Sequence, residues 1–402
     1  MPRKPHIVVI GAGSFGGWTA LHLLQHARVT LLDAWGPGNS RASSGGETRV
    51  MRGTYGPDQP YTELAARALK LWTKYERQWK RQFLHRTGVL WMASGDDSYE
   101  RGSIAPLRDA KIKFQQLSDA QMKKRWPQIN FDSIEWGIFE PDCGYLDARA
   151  SCQAVVEAFQ SAGGTYRQLA VLPGQLEVEN DQVATARRTM WGQPPSAVQS
   201  SKARQLFLSD GSQLKADIYV FACGPWLGQL FPRTIGPLIQ PTKQDIFFFG
   251  SPAGDDRFTD RHLPVWGDHR DHFFYGIPGS LSGDARRGFK IADDTRGPAF
   301  DPTHGERIVN PATLQHVREY VAFRFPALKD APLVETRVCQ YEQTPDGHFI
   351  LDRHPAHENV WILGGGSGHG FKHGPALGER MSTLILKDEI PDPNWRLDRF
   401  DR

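Results

Sequence analysis

Gly11, Gly13 and Gly16 spell GxGxxG directly after the apolar run His6–Ile10, and Asp33 follows Gly11 by 22 residues at the end of VTLL. Glycines at this spacing allow a tight strand-to-helix turn and a close approach of backbone to ligand. A helix opening at Ser14 and Phe15 would turn its free N–H groups and positive dipole end toward a pyrophosphate. A carboxylate at Asp33 suits ribose hydroxyls and disfavours a 2′-phosphate. These residues together predict a dinucleotide site, although the motif alone does not separate NAD from FAD. Two other clusters carry metal-ligating side chains: Asp268, His269, Asp271 and His272 in DHRDHFF, and His369 with His373 in GHGFKH. Neither has the HExxH spacing of a zinc helix, and no metal is expected. No GxSxG nucleophile turn occurs in the sequence, which removes the commonest hydrolase reading.

The elements that must position these residues alternate between strand and helix. The chain has 402 residues, room for two or three domains at about 150 residues each. Its formal net charge is +3, too mild for a dedicated nucleic-acid binder. No apolar run approaches the roughly 20 residues of a membrane span. Arg3, Lys4 and the short apolar run after them lack the ~7–15 residue core of a signal peptide, so this run is expected to begin the folded protein. Cys143, Cys152, Cys223 and Cys339 show no CxxC pairing; a reducing, cytoplasmic compartment and no disulfide scaffold are expected. After the first strand, Trp18–Gln25 has helical spacing and Val29–Leu32 reads as a second buried strand. Tyr61–Phe83 reads as a long amphipathic helix, with Leu64, Ala68, Leu71, Trp72, Tyr75 and Trp79 on one face. Further helices are expected at Asp119–Trp126, Ala148–Ser161 and Pro311–Arg324. Strands are expected at Thr87–Met92, Asp245–Phe249, Phe273–Ile277, Gly288–Ala292, Leu333–Tyr341 and Val360–Leu363. A β-meander covers Arg167–Arg187 and Gln205–Ala222, with the polar stretch Gln193–Lys202 between. Strand, glycines and helix at both ends with a β-rich middle predict two interleaved domains.

Three segments resemble landmarks of one family. SSGGETRVMRGTY (Ser43–Tyr55), CQYEQTPDGHFILDRHP (Cys339–Pro355) and GGGSGHGFKHGPALGE (Gly364–Glu379) are similar to those of the monomeric sarcosine oxidase family, FAD-dependent amine and amino-acid oxidases of D-amino-acid oxidase-like fold. The resemblance covers nearly the whole chain. It implies an α/β (mixed α+β) architecture: a Rossmann-like FAD-binding domain with an interleaved β-rich substrate domain. The FAD-binding segments would be 1–83, 146–235 and 329–402, and the substrate segments 84–145 and 236–328. The implied reaction is oxidation of a C–N bond, hydride passing to the flavin, hydrolysis of the imine, and reduction of O₂ to H₂O₂. The partners are then a small amine or amino acid and molecular oxygen, with no nucleic acid and no membrane, in a monomer or small homo-oligomer. A dehydrogenase of the same fold, passing electrons to a quinone or protein, and a non-catalytic flavin-binding subunit are the alternatives.

The resemblance also implies residue roles. FAD contacts fall on Gly11, Gly13, Ser14, Phe15, Gly16 and Asp33, then on Ser44, Thr48, Arg49, Val171, Cys223 and Gly224. They continue at Cys339, Gly365, Gly366, Gly368, His369, Gly370, Phe371 and Lys372. Cys339 matches a cysteine that bonds covalently to the flavin, and Arg337, two residues before it, could favour the thiolate that attacks. Cys143, Cys152 and Cys223 lack that context and are assigned to packing. Lys290, in GFKIA, matches a lysine that serves oxygen, where a fixed ammonium stabilises developing negative charge. Arg49 would lie against the flavin, while Arg52 and Lys372 would hold a substrate carboxylate. Tyr275 and Tyr341 would line the substrate pocket. The chain departs from the pattern where the family often has histidine: Gly45 is expected to open space there, and Asp294 to add a carboxylate. Both changes point away from sarcosine itself, toward a larger amine or one bearing a donor or positive charge.

Overall fold

A computed structural model describes residues 3–178, 201–269, 272–280 and 288–401. Asp271, the end of the expected meander (179–187) and most of the polar stretch after it lie outside the described residues.

His6–Ile10 is buried along its whole length because it sits at the centre of a six-stranded sheet, where only a continuous apolar run survives. The order is Ile350–His354, His357–Gly364, Ile218–Phe221, His6–Ile10, Arg28–Leu32, Thr165–Arg167, parallel throughout except at the Ile350–His354 edge. The helices Ser14–Leu23, Ala148–Ser161 and Gly374–Lys387 share one core on this sheet, with Trp18, Val155, Leu377 and Met381 in it. The first and last of these helices cross closely: a Cβ on Gly378 would lie 2.6 Å from the Trp18 carbonyl carbon. Gln59–Trp79 lays Tyr61, Ala65, Ala68, Leu71, Trp72 and Tyr75 against the same core. It stops four residues short of the expected Phe83. Lys80 takes a left-handed φ of 53°, and the Glu76 carboxylate accepts the amides of Phe83 and Leu84, turning the chain into Leu84–His85.

The second unit is an eight-stranded sheet. Its order is Leu333–Gln343, Gln240–Phe249, Phe289–Asp293, Phe273–Ile277, Val265–His269, Val89–Ala93, Trp136–Glu140, Gln115–Ser118. Neighbours are antiparallel apart from the Val265–His269 and Val89–Ala93 pair. Side chains alternate across it. Phe247, Phe249, Phe274, Phe289 and Ile291 pack under the helix Pro311–Arg324, against Val317, Tyr320 and Val321. Ile246, Phe248, Tyr275, Ala292 and Cys339 face the other way. Lys290 and Tyr341 therefore share the face that carries Tyr275 and Cys339. Leu333–Gln343 lies inside the segment expected for FAD binding, yet it is hydrogen-bonded into this sheet by antiparallel pairing with Gln240–Phe249 along nearly its whole length.

The helices Ala148–Ser161 and Pro311–Arg324 and the strand Phe273–Ile277 match the expected bounds. The helix Ser98–Asp109 and the strands Trp136–Glu140 and Val265–His269 were not expected. Gly102 and Pro106 disguise that helix; at Gly102 the helix packs closely on Pro57, 3.1 Å from where a Cβ would stand. No helix among the described residues is long and apolar enough to cross a membrane.

Candidate active site

Two cavities meet where the sheets converge. The first is a long groove beginning at the glycine turn. Gly11 has φ +106°, and a Cβ on it would sit 2.2 Å from the Ala222 carbonyl oxygen; one on Gly16 would sit 1.9 Å from the Gly11 carbonyl oxygen. Both glycines are demanded by packing of the turn against the neighbouring strand. Gly16 itself lies behind the groove wall. Gly13, Ser14 and Phe15 line the groove with Asp33, Ser44, Arg49, Val171, Cys223 and Gly224, and the far wall is built from Gly366, Gly368, Gly370 and Phe371. Gly365 packs behind that wall, where its Cβ would meet Thr344. Ser14 Oγ donates to the Phe371 carbonyl at 2.8 Å, tying the first helix to the last glycine turn. The Asp33 carboxylate accepts the amides of Ala12 (2.7 Å), Trp35 (2.9 Å) and Gly36 (2.7 Å). It thereby holds the turn and keeps a fourth lone-pair direction for a ligand. Burial raises its pKa, and the three amides pull it back. Cys223 Sγ lies 3.4 Å from the Ile10 carbonyl, and burial keeps it a thiol.

The groove fits an extended dinucleotide. Helix-start amides stand at one end, Trp35 and Trp226 supply apolar surface beside Asp33, and two buried oxygens on its wall, Ser43 Oγ and Glu342 Oε2, lack any protein partner. Unpartnered buried oxygens in a native wall call for a polar ligand.

The second cavity is lined by Thr48, Arg49, Arg52, Trp91, Tyr275, Lys290, Asp294, Cys339, Tyr341, His369 and Lys372. It shares Arg49, Tyr341, Gly368 and Phe371 with the groove. Thr48, His369, Lys372 and Cys339, expected as cofactor contacts, line this cavity rather than the groove. Arg49 donates to the carbonyls of Ser43 (2.6 Å), Gly45 (2.6 Å) and Thr48 (2.8 Å), and its Nη2 lies 3.6 Å from Cys339 Sγ. Arg49, not Arg337, is the cation on the cysteine. Arg337 is occupied by Glu47 and by Glu335 (2.6 Å), carboxylates that satisfy it more fully than a thiol would.

Lys290 is buried, with its ammonium 3.1 Å from the Thr48 carbonyl. Burial, and then Arg49, bring its pKa down to about 7. Arg52 stacks 4.1 Å over the Tyr55 ring and 5.0 Å over Trp91. It donates to the Thr54 carbonyl and to Tyr99 Oη (3.1 Å). The fully buried Glu140 fixes this loop by accepting from Gly53 N (2.6 Å), Thr54 Oγ1 (2.7 Å) and Trp91 Nε1 (3.2 Å). Lys372 donates to Tyr55 Oη (2.8 Å) and the His369 carbonyl (2.7 Å). Tyr55 therefore joins the two cations: Arg52 on its ring face, Lys372 on its hydroxyl. Burial and Arg52 hold the Lys372 pKa well below the usual lysine value. Tyr341 Oη donates to Asp294 Oδ1 at 2.6 Å, and burial raises the Asp294 pKa to about 6 against the opposing pull of Tyr341, Arg52 and Lys372.

Gly45 does not open the cavity. A Cβ there would lie 2.2 Å from the Asn39 carbonyl oxygen, so the glycine is set by its own turn. The histidine clusters are also occupied. Asp268 forms a buried pair with Arg324 (2.7 Å), and His269 stacks on Phe273 near Glu100. His369 Nε2 meets the Gly347 carbonyl (3.0 Å), and His373 Nε2 meets Tyr55 Oη (2.6 Å). His272 instead gathers with Asp293 and His316, with ligand atoms within 4.8 Å of one another. Tyr55, Trp91, Tyr99, Glu140, Trp35, Trp226 and Glu342 escaped the sequence reading. Tyr55 ends a recognised landmark and Glu342 lies inside another, whereas Glu140 and Trp91 carry no local signal.

The groove, its glycine turn and its adjoining cavity define a class, the FAD-dependent oxidoreductases of D-amino-acid oxidase-like fold. The chain belongs to the FAD dependent oxidoreductase (DAO) family, whose model matches residues 6–384. Among its relatives are the monomeric sarcosine oxidase of Bacillus sp. (strain B-0618), 29% identical with 94% of this chain and 92% of the relative covered. The human peroxisomal sarcosine oxidase is 28% identical over the same shares. The L-proline dehydrogenase from P. horikoshii has the same fold, with a TM-score of 0.80 at 21% identity, covering 100% of this chain and 99% of that one.

Gly11→Ala is expected to remove the cofactor: the clash with the Ala222 carbonyl and the positive φ both oppose a side chain. The flavin-to-protein absorbance ratio of the purified variant should fall by roughly tenfold or more, with the remaining protein folded by circular dichroism.

Proposed function

We propose that the protein oxidises a carboxylate-bearing secondary amine or amino acid, using FAD and molecular oxygen. The observation that carries this reading is the pairing of Arg52 with Lys372 through Tyr55, on the wall of the cavity that also holds Lys290 and Cys339. Bound FAD supplies a two-electron acceptor for the C–N bond and returns the electrons to dioxygen. In balance, the amine loses two electrons and two protons to become an imine, water hydrolyses the imine, and O₂ takes up two electrons and two protons to give H₂O₂.

The chain's own groups then have separate tasks. Arg52 and Lys372 hold the carboxylate from two sides and orient the amine-bearing carbon. Tyr275 and Tyr341 wall the cavity and exclude water. Asp294 offers a carboxylate above about pH 6 and loses it below, which favours a substrate with a donor or positive charge near that wall. Arg49 braces the junction between cavity and groove. Lys290 supplies the cation toward oxygen, and this task favours an oxidase over the dehydrogenase alternative. The names of the relatives, sarcosine oxidases and an N-methyl-L-tryptophan oxidase from Yersinia pestis among them, support N-substituted amino acids as substrates; cyclic and glycated ones belong to the same class.

The same reading divides the chain into FAD-binding segments at 1–83, 146–235 and 329–402 and substrate segments at 84–145 and 236–328. Leu333–Gln343 brings Cys339 to the cofactor from within the substrate sheet. Four free cysteines support the cytoplasm as the compartment. A covalent bond from Cys339 Sγ to the flavin is part of the proposal, supported by the place of the sulfur on the cavity wall, 3.6 Å from the Arg49 guanidinium. Its formation oxidises the thiolate–flavin pair by two electrons, with O₂ as the acceptor.

Four outcomes are expected. Acid-precipitated protein should retain its yellow colour in the pellet, and Cys339→Ser should release it to the supernatant; a colourless pellet from the unaltered protein would remove the covalent link. Lys290→Met should slow reoxidation of the reduced enzyme about a hundredfold or more, while anaerobic reduction by substrate, followed by stopped-flow absorbance, changes far less. In the unaltered enzyme the oxygen step should weaken as pH rises through about 7, where Lys290 loses its charge. Finally, kcat/KM should favour an N-methyl amino acid over its methyl ester. A charge-assisted contact contributes about 1.5–3 kcal/mol, so Arg52→Ala should reduce that preference about 10- to 150-fold. Equal turnover of acid and ester by the unaltered enzyme would overturn the carboxylate reading.

A further inference from the structure

Glu342 follows Tyr341 in the strand Leu333–Gln343, so alternation turns it away from the cavity and onto the wall of the dinucleotide groove. Its side chain lies between two glycine turns. The backbone amides of Gly365 and Gly366 lie near enough to the carboxyl to favour its charged form, while Oε2 is buried with no partner. A Cβ on Gly224 would stand 3.8 Å from Oε2, one on Gly364 3.3 Å from it, and one on Gly366 3.0 Å from Oε1; the carboxyl packs closely among these glycines on the groove wall. A buried carboxyl oxygen left without a partner is destabilising.

The family is FAD-dependent, and FAD carries a doubly charged pyrophosphate, a group that suits the helix N-terminus on this groove. A carboxylate on the same wall would repel it, whereas a carboxylic acid would offer an O–H. We propose that Glu342 binds FAD as a neutral carboxylic acid, its O–H donating a hydrogen bond to an oxygen of the dinucleotide. The inference rests on the family's cofactor and is independent of the substrate. Burial carries the Glu342 pKa up to about 7, with only the two glycine amides pulling it back. The titratable group facing it is the Cys223 thiol, from the turn after Ile218–Phe221. That thiol stays neutral through its own burial. From the glycine turn, His369 faces the Gly347 carbonyl instead, and Asp33 lies elsewhere on the groove wall, held by its three amides.

The test measures FAD affinity of the full chain by flavin fluorescence quenching between pH 5.5 and 9. It is done in a Cys339→Ser background, so that no sulfur link fixes the cofactor. With Glu342 present, affinity should be constant below about pH 7 and fall about tenfold per pH unit above it, because binding then requires uptake of one proton. Glu342→Gln keeps a neutral donor of the same shape, so it should keep the low-pH affinity and lose the slope. Glu342→Ala should bind weakly at every pH. A flat profile with Glu342 present, an affinity that rises with pH, or a Glu342→Gln variant as weak as Glu342→Ala would overturn the proposal.

Discussion

The Arg49 guanidinium is buried at the point where the N-terminal loop, the eight-stranded sheet and the last glycine turn come together. A cation withdrawn from water must be matched by acceptors at close range, because an unmatched buried charge is far more costly than any packing it permits. Here the acceptors are main-chain carbonyls of Ser43, Gly45 and Thr48, so the loop is folded around its own arginine. This fixes Thr48, whose carbonyl also receives the Lys290 ammonium. Two cations thus share one oxygen, and Arg49 is a cause of the lowered Lys290 pKa. The guanidinium also meets Cys339 through Nη2, and lies 5.8 Å from the Phe371 ring centroid. One side chain therefore sets the loop, the lysine and the junction of the two cavities.

What the sequence makes legible follows from how local each cause is. The glycine turn, the buried first strand and Asp33 are written within 33 residues, and the fold brings them together as a single device. The face of the eight-stranded sheet is legible once its strands are known, since period-2 alternation puts Tyr275, Lys290, Cys339 and Tyr341 on one side. Long-range pairing is not. Arg337 is two residues from Cys339 and on the same face, yet Glu47 and Glu335 occupy it, and Arg49 reaches the sulfur from 290 residues away. Gly45 is a similar case: loss of a side chain suggested space, but the Asn39 carbonyl fills that position. Glu140 has no motif at all, and only the folded chain brings it to the amides that hold Arg52.

Arg52 is fixed by apolar and polar surfaces together. Two aromatic faces accept its charge without consuming its hydrogen-bond donors, and Tyr99 and the Thr54 carbonyl take one nitrogen. Such a mount leaves donors aimed into the cavity, which a carboxylate partner in the protein would have consumed. Lys372 is mounted by the same logic, on a hydroxyl and a carbonyl. Both cations are thus held by neutral groups.

Asp294 is the carboxylate that lines this cavity, and its position explains how buried cations are tolerated while the site is free. Arg52 and Lys372 lower its pKa and it raises that of Lys372, so each moderates the cost of burying the others. Burial still dominates, leaving Asp294 with a pKa of about 6 and Lys372 well below its ordinary value. Under the proposed function, an arriving carboxylate adds the second negative charge that two cations call for. It moves Lys372 back toward its usual basicity, and the lysine holds its proton more firmly with the substrate seated than without it. A neutral ester brings no such charge and leaves Lys372 destabilised. Discrimination between acid and ester then includes the recovered ionisation of Lys372 as well as direct contact. That is why a cavity with two poorly solvated cations can select an anion more sharply than an exposed pair would.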